Sequence, residues 1–292
     1  MSLVSVVIPA YNSASYVCGA LNSVLAQTLQ DFEIIVVDDG SKDDTKQVVA
    51  PYLSDSRVRY LFQENRGLPG ARNAGAKVAQ SEYFAFLDAD DFLAPTALET
   101  LRKKFEETGA DWCNVGLLKL EGEKRTVRHA VMPTDDLLLA VLEDDFITRC
   151  PFFPRDQFYA IGMYDEEIRV REDWDINIRL IEAGKRCVLI DEPLYLYSRT
   201  EGSITTGNRR RLLFYTEKLM RKHHKRLADA GNRKIGKIYA VNMWHLARQY
   251  FYEIKDIREG FRCMGESLRY DMNVLRLFHP LVHRIYVAIG RR

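Results

Sequence analysis

The sequence predicts an α/β fold: a mixed, mainly parallel sheet flanked by helices, with a helical extension at the C-terminal end. Three observations carry this. Short apolar, β-branched runs alternate with stretches of helical period through roughly the first hundred residues, the pattern of parallel strands covered on both faces. Polar clusters at Tyr11, Asp38-Asp39 and Asp88 to Asp91 each follow the end of such a run, and open parallel sheets bind ligands beyond the carboxyl ends of their strands. After Thr206 the strand-like runs stop and basic helical sequence takes over.

Residues 3–9, LVSVVIP, are the first predicted strand, continuous, β-branched and stopped by proline. Apolar residues at 17, 20, 21, 24 and 25 then recur at helical spacing, with Asn12 or Ser13 available as cap. EIIVVDDGS is the second strand, ending in acid and glycine. Asp43 or Asp44 opens the next helix, and RVRYLFQ alternates as a strand. NRGLPGARNAGAKVA reads as a glycine-rich loop entering a helix, and EYFAFLDADD as a buried strand with an acidic end. A helix is predicted over 96–108, where Ala97, Leu98, Leu101 and Phe105 share a face, and a strand pair over 111–132. From about 155 to 200 the pattern loosens to a helix opening near Glu172, the strand RCVLID and the aromatic stretch Tyr195 to Tyr197.

A chain of 292 residues, 47% apolar, can bury a full core as one large domain with an appendage or as two modest domains. Charged residues at 28% and aromatics at 11% exclude a disordered chain. Cys18, Cys113, Cys150, Cys187 and Cys263 are scattered, odd in number and without a CxxC pair. That argues against a disulfide framework or a structural zinc site and suits a reducing compartment. No leader pattern precedes the first strand and no run of about 18 apolar residues occurs. The expected location is cytoplasmic, or peripheral at the inner face of the cell membrane. The net charge of +1 conceals an asymmetry: residues 205–292 hold 20 Lys/Arg against 7 Asp/Glu, net +13, and residues 1–204 carry net −12. Opposite fields imply two tasks.

Asp88, Asp90 and Asp91 at one strand end repel one another unless a cation or hydroxyl partner is present. Strand alternation puts Asp88 and Asp90 on one face. Mg²⁺ or Mn²⁺ suits such a site, since it takes one or two carboxylates and completes its shell with phosphate oxygens and water. A helix-capping cluster ahead of Pro95 is the competing explanation. Asp38-Asp39-Gly40-Ser41 fits a capped turn, or a carboxylate receiving the N–H of a nucleotide base. Arg72, after Gly67 and Gly70, fits an anion site at a helix opening, or a surface arginine. Glu172-Asp173 fits the positive end of a helix dipole, or a general base for an acceptor hydroxyl.

In order, VSVVIPAYN, DFEIIVVDDGS, NRGLPGARNAG, YFAFLDADD, REDWD and YLYSRTEGSIT resemble the family 2 glycosyltransferases of GT-A (Rossmann-like) fold, from residue 4 to about 205. The resemblance implies an inverting transfer of a hexosyl or N-acetylhexosaminyl group from a nucleoside diphosphate sugar, commonly UDP-linked, to a polysaccharide or lipid-linked acceptor. It implies that Pro9, Tyr11 and Asp39 surround the base, Arg72 lies near base and diphosphate, and Asp88 near the ribose. Asp90 becomes the Mn²⁺ or Mg²⁺ ligand of a DXD motif and Asp173 the catalytic base. Glu172 and Trp174 fall on the acceptor side, with Trp174 either stacking on a sugar ring or packing in the core, and Arg199 and Ser203 in a loop over the diphosphate. The histidine that many relatives carry near that loop is missing between Ser198 and Thr206. The expected organisation is a catalytic domain over 1–205, binding donor in about 1–95 and acceptor in about 96–205.

Residues 206–292 are expected to be a basic helical region. Arg209 to Arg211, Arg221-Lys222, Lys225-Arg226 and VLRLFHPLVHRIYVAIGRR suit an anionic membrane surface. A cap on the catalytic domain or a homodimer contact is the competing reading. Nucleic-acid binding is not expected, because no recognition motif is present and the larger part is acidic. A sugar-nucleotide nucleotidyltransferase is the rival enzyme class, although IPAYNSAS lacks its glycine-rich basic loop. A non-catalytic nucleotide-sugar-binding scaffold is the rival outside enzymes.

Overall fold

Strand β1 (Val4–Ala10) is buried along its whole length, and its alternating side chains organise the two cores around it. In this computed structural model, residues 2–133, 136–148, 150–198 and 208–274 are described. Val4, Val6 and Ile8 pack with α1 (Val17–Leu25) and α4 (Ala97–Thr108). Val7 belongs to the other core, with Ile35 and Val37 of β2 (Phe32–Asp38) and Ala71 and Ala76 of α3 (Leu68–Val78). Each buried Val or Ile among them contributes about 1.5–3 kcal/mol, and the period of two is why both sides fill.

The first sheet has the order β3-β2-β1-β4-β8, with β3 Val58–Phe62, β4 Tyr83–Phe86 and β8 Phe152–Pro154. All its neighbours are parallel except β8, which runs antiparallel to β4. Helix α2 (Thr45–Val49) and a 3₁₀ turn (Ala50–Ser54) lead from β2 toward β3. The second sheet has the order β5-β9-β6-β7. Its β6 (Trp112–Glu121) lies parallel to β9 (Cys187–Ser198), flanked by β5 (Phe92–Leu93) and the hairpin strand β7 (Lys124–Arg128). Helices α5 (Leu137–Glu143), α6 (Arg155–Ala160) and α7 (Glu172–Glu182) complete this part of the chain.

Gly75 lets α3 lie directly on the sheet, because a Cβ there would sit 2.3 Å from Val7 Cγ1. Gly67 holds φ at +81° where the chain enters α3, a conformation open to glycine at little cost.

Three local expectations are corrected. Asn12 and Ser13 do not cap α1, which begins at Val17 without a side-chain cap. They tie instead to the next loop: Asn12 Oδ1 accepts from Lys42 N, and Ser13 N donates to Thr45 Oγ1. Strand β4 stops at Phe86, so Asp88 to Asp91 form a turn, closed by Asp91 N donating to Asp88 O, and strand alternation does not govern them. Helix α3 starts at Leu68, which puts Gly70 and Arg72 inside it rather than at its opening.

By compactness the chain forms two units, Met1–Val141 with Asp145–Ser203, and Leu142–Asp144 with Ile204–Arg292. In the second, the described residues form α8 (Arg209–Met220), a π turn (Arg221–Lys225), α9 (Arg226–Asp229), α10 (Arg233–Gln249), a second π turn (Tyr250–Ile254) and α11 (Ile257–Tyr270). Asn208, Asn232 and Asp256 cap α8, α10 and α11, each cap being worth about 1 kcal/mol. Part of the unit's positive charge is answered internally. Arg221 bonds Glu217 and Glu266, Arg262 bonds Glu217 and Glu259, and Tyr239 donates to Glu266. Arg209 and Arg210 meet Glu253 and Asp256. Residues 275–292, most of the expected interfacial stretch, lie outside the described residues, as do Arg199 and Ser203. Among the described residues no helix is long and apolar enough to cross a membrane.

Candidate active site

Three acids from two elements converge on one guanidinium. Arg72, 2% exposed on α3, donates from Nη2 to Asp88 Oδ1 at 2.7 Å. Its Nη1 donates to Glu172 Oε1 at 3.0 Å and Asp173 Oδ1 at 2.9 Å. The Tyr164 ring lies 5.1 Å from its guanidinium carbon, a cation–π contact. Asp88 stands on the turn after β4, and Glu172 and Asp173 form the first turn of α7. Arg171, just ahead, holds φ at +73°, a left-handed conformation costing a non-glycine residue roughly 1–2 kcal/mol. That turn aims two consecutive acids at Arg72.

The three carboxyls are not equivalent. Side-chain exposure is 9% for Glu172, 20% for Asp88 and 39% for Asp173. Burial, and then the neighbouring Asp173 charge, push the Glu172 carboxyl up to about 7 against the pull of Arg72. Asp173 is the most exposed of the three.

Asp39, 3% exposed, accepts from Gln63 Nε2 at 2.6 Å, from Arg66 N at 2.8 Å and from Gly67 N at 2.8 Å. A carboxylate offers about four acceptor positions, so Oδ2 keeps one for a further N–H donor. Pro9 is buried within β1, and Tyr11, just past its end, is 50% exposed. Asp38 is structural: it accepts from Ser41 N and the Tyr60 hydroxyl.

On the acidic turn, Asp91 is 1% exposed and accepts from the Tyr195 hydroxyl at 2.7 Å and from Ser198 N at 2.8 Å. The same hydroxyl accepts from Asp88 N at 3.2 Å. Asp91 thus binds the turn to β9, and Asp90 is partly exposed between the two anchored acids. Among the described residues no set of three or more His, Cys, Asp and Glu is arranged to hold a metal ion. Of the two expectations for Trp174, the structure bears out core packing. It is 6% exposed and donates from Nε1 to Val141 O at 2.7 Å, which commits the ring to the core.

Residues 5–164 match the family model described as glycosyl transferase family 2. The chain belongs to glycosyl transferase family 2. The uncharacterized glycosyltransferase EpsJ of Bacillus subtilis (strain 168) is 31% identical over 216 residues, covering 70% of this chain and 63% of EpsJ. The chain therefore spans less than two thirds of that relative's length. Among solved structures, S. aureus TarS 1-349 in complex with UDP-GlcNAc superposes with a TM-score of 0.68 at 21% identity, over 91% of this chain and 79% of TarS. A mannosyltransferase of Pyrobaculum calidifontis, in complex with GDP-Man and Mn²⁺, superposes at 0.58 with 15% identity, over 99% of this chain and 79% of its own. The fold is the GT-A fold of these enzymes, and family membership sets the nucleotidyltransferase alternative aside.

The candidate site also includes residues that sequence reasoning missed. Tyr164 shares no motif with Arg72. Gln63 sat unremarked at the end of a predicted strand, one residue past β3. The YLYS run held Tyr195, but only the pairing of β5 with β9 brings it to the acidic turn.

Proposed function

We propose that the chain transfers a sugar, with inversion, from a UDP-linked donor to a hydroxyl of a saccharide or lipid-linked saccharide acceptor. The observation that supports this best is the meeting of Asp88, Glu172 and Asp173 at Arg72, where Asp88 belongs to the acidic turn. Asp39 Oδ2 receives the N–H of the base, Tyr11 packs on it, and Pro9 shapes the floor. Arg72 stays engaged with its three acids, so it orients the Asp173 carboxylate rather than serving as the main diphosphate cation. Asp173 takes the proton from the acceptor hydroxyl as that oxygen attacks the anomeric carbon opposite the diphosphate. The C–O bond to the diphosphate breaks, the new glycosidic bond forms, and the proton remains on Asp173. Glu172 holds Arg72 and lines the acceptor side. Asp90 would hold a Mn²⁺ or Mg²⁺ ion, which would supply neutralisation of the leaving diphosphate, and Arg199 and Ser203 are assigned to the same anion.

The test is diphosphate nucleotide release from a panel of nucleotide sugars with saccharide acceptors, with and without metal. Asp173→Asn is expected to keep donor affinity and lose about 10²–10⁴ in kcat, and Asp90→Ala to lose metal-stimulated turnover. Unchanged transfer by Asp173→Asn moves the base elsewhere. Donor binding with no transfer by the unaltered protein, whatever the acceptor, favours the scaffold reading.

The 206–292 region is assigned to docking on an anionic membrane, with a homodimer contact as the competing outcome. Support comes from Phe214, Ile257 and Phe261, which are 57%, 64% and 50% exposed. Serine at all three positions is expected to abolish binding to anionic vesicles.

A further inference from the structure

Between α5 and β8 the chain passes Asp145, whose Oδ1 accepts from Asn177 Nδ2 at 3.2 Å. Asn177 comes four residues after Asp173 on α7, so the two share a helix face one turn apart. Asn177 is 3% exposed, yet its Oδ1 meets no donor. A buried amide oxygen left so costs about 1–3 kcal/mol and calls for an explanation. Asp145 provides one. A carboxylate only accepts, whereas a carboxylic acid also donates. With a proton, Asp145 would be able to donate to Asn177 Oδ1 while Asn177 Nδ2 donates to its Oδ1, a ring of two hydrogen bonds.

The surroundings favour the protonated form. The groups facing Asp145 are Asp173, Arg171 and Asn177 from the start of α7, and the Ile147 N–H from its own loop. Burial first, and the Asp173 charge with it, push the carboxyl up to about 7, while Asn177, Arg171 and the Ile147 N–H pull the other way.

We propose that Asp145 is a positioning residue for the base: an acid–amide pair with Asn177 that fixes the face of α7 carrying Asp173 and keeps a second negative charge off it. This rests on Asp173 being the base, and the experiment separates the two claims. Asp145→Leu, which cannot pair, is expected to lower kcat about ten-fold with donor KM unchanged. Asp145→Asn, which rebuilds the ring as an amide–amide pair, is expected to restore most of it. Unaltered kcat in Asp145→Leu overturns the positioning role.

The second readout needs no turnover. Between about pH 4 and pH 7 the folded protein holds a proton on Asp145 that the unfolded chain has released, so the wild type loses stability as pH rises through that window. Asp145→Asn has no such loss. Its melting temperature relative to wild type should therefore climb from about pH 5 to pH 8, alongside a ¹³C carboxyl titration of Asp145 near neutrality in the wild type. A difference that stays level or falls, or an Asp145 carboxyl titrating in the ordinary range, overturns the acid–amide pair. Full transfer by Asp173→Asn removes the base assignment instead and leaves the stability result standing.

Discussion

Replacing Arg72 by leucine removes the guanidinium shared by Glu172, Asp88 and Asp173 while leaving most of the apolar volume filled. Glu172 is buried, at 9% side-chain exposure, so leaving it without Arg72 costs on the scale of a broken buried ion pair, about 3–5 kcal/mol, with the half-buried Asp88 contact the lesser of the two. Asp173 is 39% exposed, and its contact adds no more than about 1 kcal/mol after solvent screening. The expected loss near pH 8 is therefore about 3–5 kcal/mol, dominated by two of the three contacts. It should shrink near pH 5.5, because Glu172, already held up to about 7, is then protonated and no longer needs a cation. Urea denaturation of both proteins at the two pH values measures this directly. A loss below about 1 kcal/mol near pH 8, or a larger loss at the lower pH, refutes the account of the cluster.

Glu172→Gln mimics the protonated acid. Wild type loses stability between the ordinary 4.5 and about 7, and the variant does not, so it should gain on wild type across that window by up to about 3 kcal/mol in pH-dependent denaturation. Tyr195→Phe deletes the hydroxyl that donates to Asp91 and accepts from Asp88 N, and should cost about 1–3 kcal/mol and weaken donor binding by calorimetry. Gly75→Ala drives a methyl to 2.3 Å from Val7 Cγ1. It should lower stability by about 1–3 kcal/mol, partly recovered in the double variant with Val7→Ala.

The parallel strands were legible in the sequence because their burial on both faces leaves nearly continuous apolar runs, as in VSVVIPA and FEIIVVD. The acids of the site were legible because each ends or opens an element. What was not legible was who faces whom. Arg72 read as an anion binder because its neighbours in sequence are glycines, and its partners Glu172 and Asp173 lie 100 and 101 residues away. Trp174 read equally well as a stacking platform, since nothing local announces that Val141 O waits for its indole N–H. The turn at Asp88 to Asp91 read as strand because the apolar run reaches Leu87, while pairing stops at Phe86. The basic clusters of the second unit looked free because Glu217 and Glu266, which answer Arg221, are too dispersed to register as a pattern.

The hydroxyl of Tyr195 reaches back 107 residues to Asp88 N and 104 to Asp91. That span sets the order in which the protein acquires its chemistry during synthesis. The strands ending at Phe86 emerge from the ribosome with their acidic turn unsupported, and β6 waits for β9 to arrive as its parallel neighbour. Such non-local closure is slow, because the loop entropy is spent before the contacts return it. A nascent chain shorter than about residue 198 therefore lacks the brace on its acidic turn, and one that ends before Glu172 also lacks two partners of Arg72. The brace on the acidic turn is complete only after both sheets have closed.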